Sequence, residues 1–191
     1  MEDKNEYERL AEVKLGREDI YDGKVLHLVR DTVRLPNGEE AVREICLHVG
    51  AVCVLPLLPD GRVIMERQFR YAHGRVFLEI PAGKLNFKEE DPLSAAKREL
   101  EEETGAVAGK MTCLGGLDTS PALIDEKITM YLAEDLTFTK RHLDEDEFLD
   151  VVYVPLEDLY RMVMRGDIRD AKTQVAVLKV WELRGRGREN A

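Results

Sequence analysis

The chain has 191 residues, with 28 Lys and Arg against 38 Asp and Glu and a formal net charge of −10. That size suits one domain with at most a small appendage, and 44% hydrophobic residues can fill its core without disulfides. The acidic balance excludes a nucleic-acid binder held by general electrostatics, which needs surplus Lys and Arg facing phosphates. A phosphate-bearing small molecule can still be met through a bound cation. Cys46, Cys53 and Cys113 form no CxxC pair and have no zinc-type spacing with His, so they read as buried small apolar residues in a reducing compartment. Met1 to Leu10 is charged and lacks the apolar run of a secretory signal. The longest apolar run, Val49 to Leu58, contains Pro56 and is too short to span a bilayer, so the expectation is a soluble, cytoplasmic protein with no membrane partner.

In chain order, Lys24 to Leu35 and Glu40 to Val49 alternate apolar with polar residues across Pro36-Asn37-Gly38-Glu39, which predicts a β-hairpin around a tight Asn-Gly turn. Ala51 to Leu58 is a continuous apolar run, the mark of a buried strand. It turns at Pro59-Asp60-Gly61 into a half-polar neighbour from Arg62 to Arg70. Leu78 to Leu85 reads as a strand running into a loop. At Asp91-Pro92 the pattern changes: Asp can cap a helix and Pro is tolerated in its first turn, so a helix is predicted from Pro92 to Thr104. Its apolar stripe is Leu93, Ala96 and Leu100, and Gly105 stops it. Strands follow near Met111 to Leu117, Lys127 to Ala133 and Asp150 to Val154. Helices follow from Leu156 to Met164 and from Asp170 to Leu183, and the Arg- and Gly-rich tail from Arg184 reads as frayed.

The chemistry concentrates in Arg98-Glu99-Leu100-Glu101-Glu102-Glu103. Glu99, Glu102 and Glu103 stand at i, i+3 and i+4, on one helix face away from the apolar stripe. Like charges so spaced destabilise a helix by about 0.2–0.5 kcal/mol per pair unless something positive sits among them. Converging carboxylate oxygens suit Mg²⁺ or Mn²⁺; the competing reading is a solvated acidic face. Arg98 is the nearest positive charge built into the cluster.

This stretch resembles the Nudix hydrolase box, whose pattern is G, five residues, E, seven residues, then REUxEExGU. Gly83 opens it, Glu90 follows, then Asp91 to Lys97, and Arg98 to Ala106 closes it. Six residues, Lys84 to Glu89, separate Gly83 from Glu90, one more than the pattern, and the extra residue falls in the loop. The resemblance implies an α/β fold, the α/β/α sandwich of the Nudix family with a mixed β-sheet, here with an N-terminal antiparallel β extension. It implies that Glu99, Glu102, Glu103 and the Ala82 carbonyl bind Mg²⁺, for which Mn²⁺ can substitute, and that Arg98 orients the glutamates.

The Glu79-Ile80-Pro81-Ala82-Gly83 run-in and Ser120-Pro121 further resemble the ADP-ribose pyrophosphatase branch, although Ala122 stands where that branch commonly has Gly. By that resemblance Arg70 and Arg67 meet the diphosphate or terminal ribose, and Arg43 and Glu44 reach substrate across a homodimer interface. Glu126 sits on the ribose side. An Arg forks two donors onto phosphate oxygens, and carboxylates accept from sugar hydroxyls; Arg43 and Arg67 read equally well as strand-surface charge. In Leu143-Asp144-Glu145-Asp146-Glu147-Phe148, the resemblance makes Glu145 the catalytic base, with Glu147 helping the metals. The implied division is residues 1–49 as the dimerising, substrate-contacting extension, 50–185 as the hydrolase domain and 186–191 as a flexible tail. The implied reaction is hydrolysis of ADP-ribose to AMP and ribose 5-phosphate. The rival readings are another nucleotide sugar such as GDP-mannose, or a non-cutting ADP-ribose sensor.

Overall fold

The structure, a computed structural model, describes residues 4–143 and 147–189. Its contacts divide the chain into two compact units: one runs to His48 and takes in Asp118–Glu126, and the other comprises Val49–Leu117 and the chain from Lys127 onward.

The first unit opens with a short helix, α1 (Lys4–Leu10), and carries three antiparallel strands in the order β1 (Val13–Asp22), β2 (His27–Arg34) and β3 (Glu40–Leu47). The β2–β3 pair is the predicted hairpin. Gly38, at φ +88°, makes its turn, and Asn37 Oδ1 accepts from the Glu39 N–H at 3.0 Å. On β2 the alternation buries Val29, Asp31 and Val33. Asp31 tolerates burial because Arg17 forks onto both its oxygens at 2.6 and 2.7 Å. β1 was not predicted. All ten of its residues are exposed and its register slips twice, so it lacks the alternation that marks a half-buried strand. The Asp118–Glu126 segment joins this unit through a parallel bridge between Cys46 and Ile124.

In the second unit, β4 (Ala51–Pro56) is buried along its whole length. It lies parallel to β9 (Lys127–Phe138) and antiparallel to β7 (Ala82–Lys84), and β8 (Ala106–Asp118) completes a mixed four-stranded sheet in the order β7-β4-β9-β8. β5 (Arg62–Arg70) was predicted to neighbour β4. An isolated bridge, Leu57 to Val63, ties it to the residue just past β4, and it builds a second sheet between β10 (Leu149–Pro155) and β6 (Arg75–Glu79). Both edges of β4 are already taken by β7 and β9, which leaves no ladder for β5 to join.

Alternate residues of β4 feed two cores. Val52 and Val54 pack with Ala95, Ala96 and Leu100 of α2 (Pro92–Thr104); Cys53 and Leu55 pack with Leu159 and Val163 of α3 (Leu156–Arg165) and Val177 and Val180 of α4 (Ala171–Glu189). Helices on both sides of a mixed sheet make the expected α/β/α sandwich. α2 has the predicted limits: Asp91 accepts from the Ser94 N–H at 2.9 Å, and Gly105 ends the helix at φ +73°. α4 continues past Leu183, so the Arg184 to Arg188 stretch read as frayed is helical. Arg184 anchors that turn by pairing with Glu134 of β9 at 2.8 Å.

Of the cysteines, Cys53 is buried and its thiol is pushed up to about 12 by burial, while Cys46 is half-buried. Cys113 is exposed on β8 and corrects the expectation that all three are interior, because β8 is only partly buried along its length whereas β4 is buried throughout. Among the described residues no helix is long and apolar enough to cross a membrane.

Candidate active site

The acidic face of α2 is divided by its surroundings. Glu103 turns inward, is 3% exposed, and accepts from the Ala82 N–H of β7 at 2.9 Å. Glu99 lies against Gly83: a Cβ there would stand 2.0 Å from the Glu99 carboxyl carbon, so β7 can approach α2 this closely only with glycine. Glu102 is more open. Arg98 ties the group together, its Nη1 reaching Glu99 at 2.7 Å and Glu102 at 3.3 Å, while Nη2 reaches the Lys84 carbonyl at 3.4 Å and Glu90 at 3.5 Å. Glu90 also accepts from the Asn86 N–H at 2.6 Å. The longer loop thus closes on Glu90, and the extra residue is absorbed before it.

Two further acids come from the second sheet. Glu66 of β5 is 3% exposed, and its Oε1 has no hydrogen-bond partner. Its cross-strand partner on β6 is Glu79, also 3% exposed. Arg70 forks onto Glu79 at 2.8 and 2.9 Å, and Lys172 of α4 donates to it as well. Lys172 also meets Asp170 at 3.0 Å; Asp170 takes the Thr173 hydroxyl, and the Ile80 N–H donates to Thr173 Oγ1 at 3.0 Å.

Charge state follows from these partners. Burial raises the Glu79 carboxyl, but Arg70 and Lys172 outweigh it and hold the group below the usual carboxylate range. Burial drives Glu103 well above that range, aided by the charges of Glu66, Glu147 and Glu99. Glu66 is raised by burial and then by Glu147 and Glu79. Glu99 is also raised by burial, with Arg98 opposing. Burial and mutual proximity therefore favour the protonated form of these carboxyls, and the site has more carboxyl groups than cations to ionise them.

Such a set, built of hard oxygen donors with one buried oxygen left over, fits a divalent cation. Among the described residues no three acidic, His or Cys side chains stand close enough together to enclose an ion as they lie. A divalent ion would draw these oxygens in and displace the protons that burial favours.

The other sequence-predicted residues are distributed as follows. Ala82 opens β7 beside Glu103. Arg67 is exposed on β5, and Arg70 lies at its end. Glu147 precedes β10 and interacts with Glu66, Glu99 and Glu103. Arg43, Glu44 and Glu126 belong to the first unit. There Arg43 forks onto Glu12, Glu44 lies 3.5 Å from Arg30, and Glu126 accepts from Thr119 at 2.7 Å with His48 at 3.7 Å. Glu145 lies outside the described residues. Sequence reasoning missed Glu66 and Lys172. The available signals were a Glu ending the apolar run Val63-Ile64-Met65, and a Lys preceding the helical stripe Thr173, Ala176, Val177 and Val180.

The sequence profile of the NUDIX domain matches residues 47–175. This chain belongs to the Nudix hydrolase family. The match bears out the resemblance read from the box. Nudix hydrolases generally use divalent metal cations, in keeping with the acid-rich site. Among curated relatives, the ADP-ribose pyrophosphatase of Bacillus subtilis (strain 168) is 46% identical over 170 residues, covering 88% of this chain and 91% of that protein. The methanol dehydrogenase activator of Bacillus methanolicus is 40% identical over 168 residues, 87% of this chain and 90% of that one. A solved structure described as an ADP compounds hydrolase superposes with a TM-score of 0.81 at 26% identity, covering 93% of this chain and 96% of that chain.

Proposed function

We propose that the protein hydrolyses ADP-ribose to AMP and ribose 5-phosphate. The observation that carries the reading is the 46% identity to an ADP-ribose pyrophosphatase over 170 residues, a span longer than the NUDIX domain at 47–175. The likeness therefore takes in residues outside the catalytic box.

In this reading Glu99, Glu102, Glu103, Glu147 and the Ala82 carbonyl hold Mg²⁺, or Mn²⁺ in its place. The bound ions supply neutralisation of the diphosphate and a more acidic water. The chain's own groups do the rest. Arg70 and Arg67 orient the diphosphate and terminal ribose, and Arg98 holds the glutamates in register. Glu145 takes a proton from the attacking water. The water oxygen bonds to one phosphorus, the bridging P–O bond breaks, and its oxygen leaves with the other phosphate. General-base help of this kind contributes roughly 10²–10⁴ in rate, so Glu145→Gln lowers turnover and keeps substrate binding. The N-terminal extension, residues 1–49, forms a homodimer in which Arg43 and Glu44 reach the partner's substrate, with Glu126 on the ribose. The protein works in the cytoplasm, on a small-molecule nucleotide sugar and not on nucleic acid.

The test is product analysis with Mg²⁺ for wild type and Glu103→Gln on ADP-ribose and GDP-mannose. AMP released faster from ADP-ribose than GMP from GDP-mannose, and lost in the variant, supports the reading. Faster cleavage of GDP-mannose overturns the substrate. Binding of ADP-ribose without cleavage overturns the enzyme and leaves a sensor.

A further inference from the structure

Among the described residues two buried side-chain polar atoms lack a hydrogen-bond partner, Glu66 Oε1 and Arg98 Nε, and Glu66 is the more deeply buried residue. It is as buried as Glu79, its direct partner across the β5–β6 ladder, but the two nearby cations are already committed: Arg70 and Lys172 both bond Glu79. Glu66 Oε1 is left without a partner. Protonation does not repair this, because a neutral carboxylic acid still needs an acceptor for its proton and a donor for its other oxygen. The groups whose fields couple to Glu66 include Glu103 from α2 and Glu147 from the lead-in to β10, so carboxyls from three separate elements lie within each other's electrostatic reach. Carboxylates brought together from separate elements, with an oxygen left over, are the arrangement a hard cation resolves.

We propose that Glu66 is an additional ligand of a divalent cation, held between β5 and α2 and shared with Glu103 and Glu147. The inference rests on the metal-dependent reading above and extends it, since nothing in the Nudix box includes a residue of β5. Glu66 thereby couples the second sheet to the acidic helix through the ion. It also explains how a strand can carry a buried glutamate opposite another buried glutamate, a pairing that is otherwise unfavourable.

The test uses the full chain and Mn²⁺ as probe, followed by the spin-resonance signal of free Mn²⁺, on wild type, Glu66→Gln, Glu66→Leu and Glu103→Gln. Thermal melts are recorded with and without the ion. Both Glu66 variants should bind Mn²⁺ at least about 10-fold more weakly or lose one ion per chain, since loss of even an outer partner costs that much. Metal-free, they should melt above wild type, because a buried carboxyl with a partnerless oxygen is gone, and they should gain less on adding Mn²⁺. This pair of opposite shifts is not produced by a merely structural residue. Stoichiometry, affinity and metal-induced shift equal to wild type in the Glu66 variants, with Glu103→Gln impaired, would overturn this inference and leave the hydrolase reading standing. No Mn²⁺ binding by wild type would overturn both.

Discussion

Glu66 and Glu79 stand directly opposite each other on the antiparallel β5–β6 pair, and Glu79 is gripped by Arg70 and Lys172 while Glu66 is gripped by neither. One strand pair thus presents two buried carboxylates of opposite character. The first is a settled anion that anchors a candidate substrate arginine. The second is a group in want of a cation.

Lys172→Met should destabilise the fold by about 3 kcal/mol, the low end for breaking a buried pair, because Arg70 still serves Glu79. The pH dependence has a definite sign. The Glu79 carboxyl is held below its ordinary 4.5, so its contribution is complete above that value and lost as pH falls through the depressed one. Lys172 is raised above 10.5, so its contribution is complete below that value and lost only as pH rises past it. Urea unfolding should therefore show the full deficit at neutral pH and a smaller one well below pH 4.5. An equal deficit at both would remove the ionic account.

Gly83→Ala tests the close approach of β7 to α2. The added methyl would meet the end of a flexible side chain, Glu99, rather than backbone, so the fold should lose less than about 1 kcal/mol. The displaced carboxylate should cost turnover at least about 10-fold, the scale seen when a group near a metal is disturbed. Steady-state kinetics beside a denaturant melt separate the two effects; a variant with full activity would deny Glu99 its role.

Arg98→Lys keeps the charge and loses the fork. One guanidinium now serves Glu99, Glu102, Glu90 and the Lys84 carbonyl, and an ammonium cannot span that set. Turnover should fall by about 10- to 100-fold with circular dichroism unchanged.

Asp91→Ala removes the α2 cap without touching the acidic face. The melting temperature should fall by a few degrees while kcat and KM stay within error at a temperature where both proteins are folded. A parallel collapse of activity would show that the start of α2, and not only its acidic face, shapes the site.

What could be read from the sequence was what local chemistry decides. Asp91-Pro92 and Gly105 mark the ends of α2 by themselves, because a cap and a left-handed stop need only a few neighbouring residues. The β2–β3 hairpin announces itself through Asn37-Gly38 in the same way. β1 stayed hidden because neither of its faces is buried, so nothing forces its residues to alternate. The division of β4 and β5 between two sheets was decided by β7 and β9, far along the chain. In the site, Glu99, Glu102 and Glu103 show their common face through helical spacing. Glu66 looks like any polar residue of a strand until the fold sets Glu79 beside it and Lys172 beyond.

The Asp118–Glu126 segment belongs with the N-terminal strands although the chain on both sides of it belongs to the other unit. Protein engineers who cut between His48 and Val49 would not obtain two independent pieces, since the larger fragment would keep a stretch whose hydrogen bonds to Cys46 and His48 had gone with the smaller one. For the same reason the N-terminal strands cannot be grafted onto another hydrolase as a cassette unless that segment travels with them.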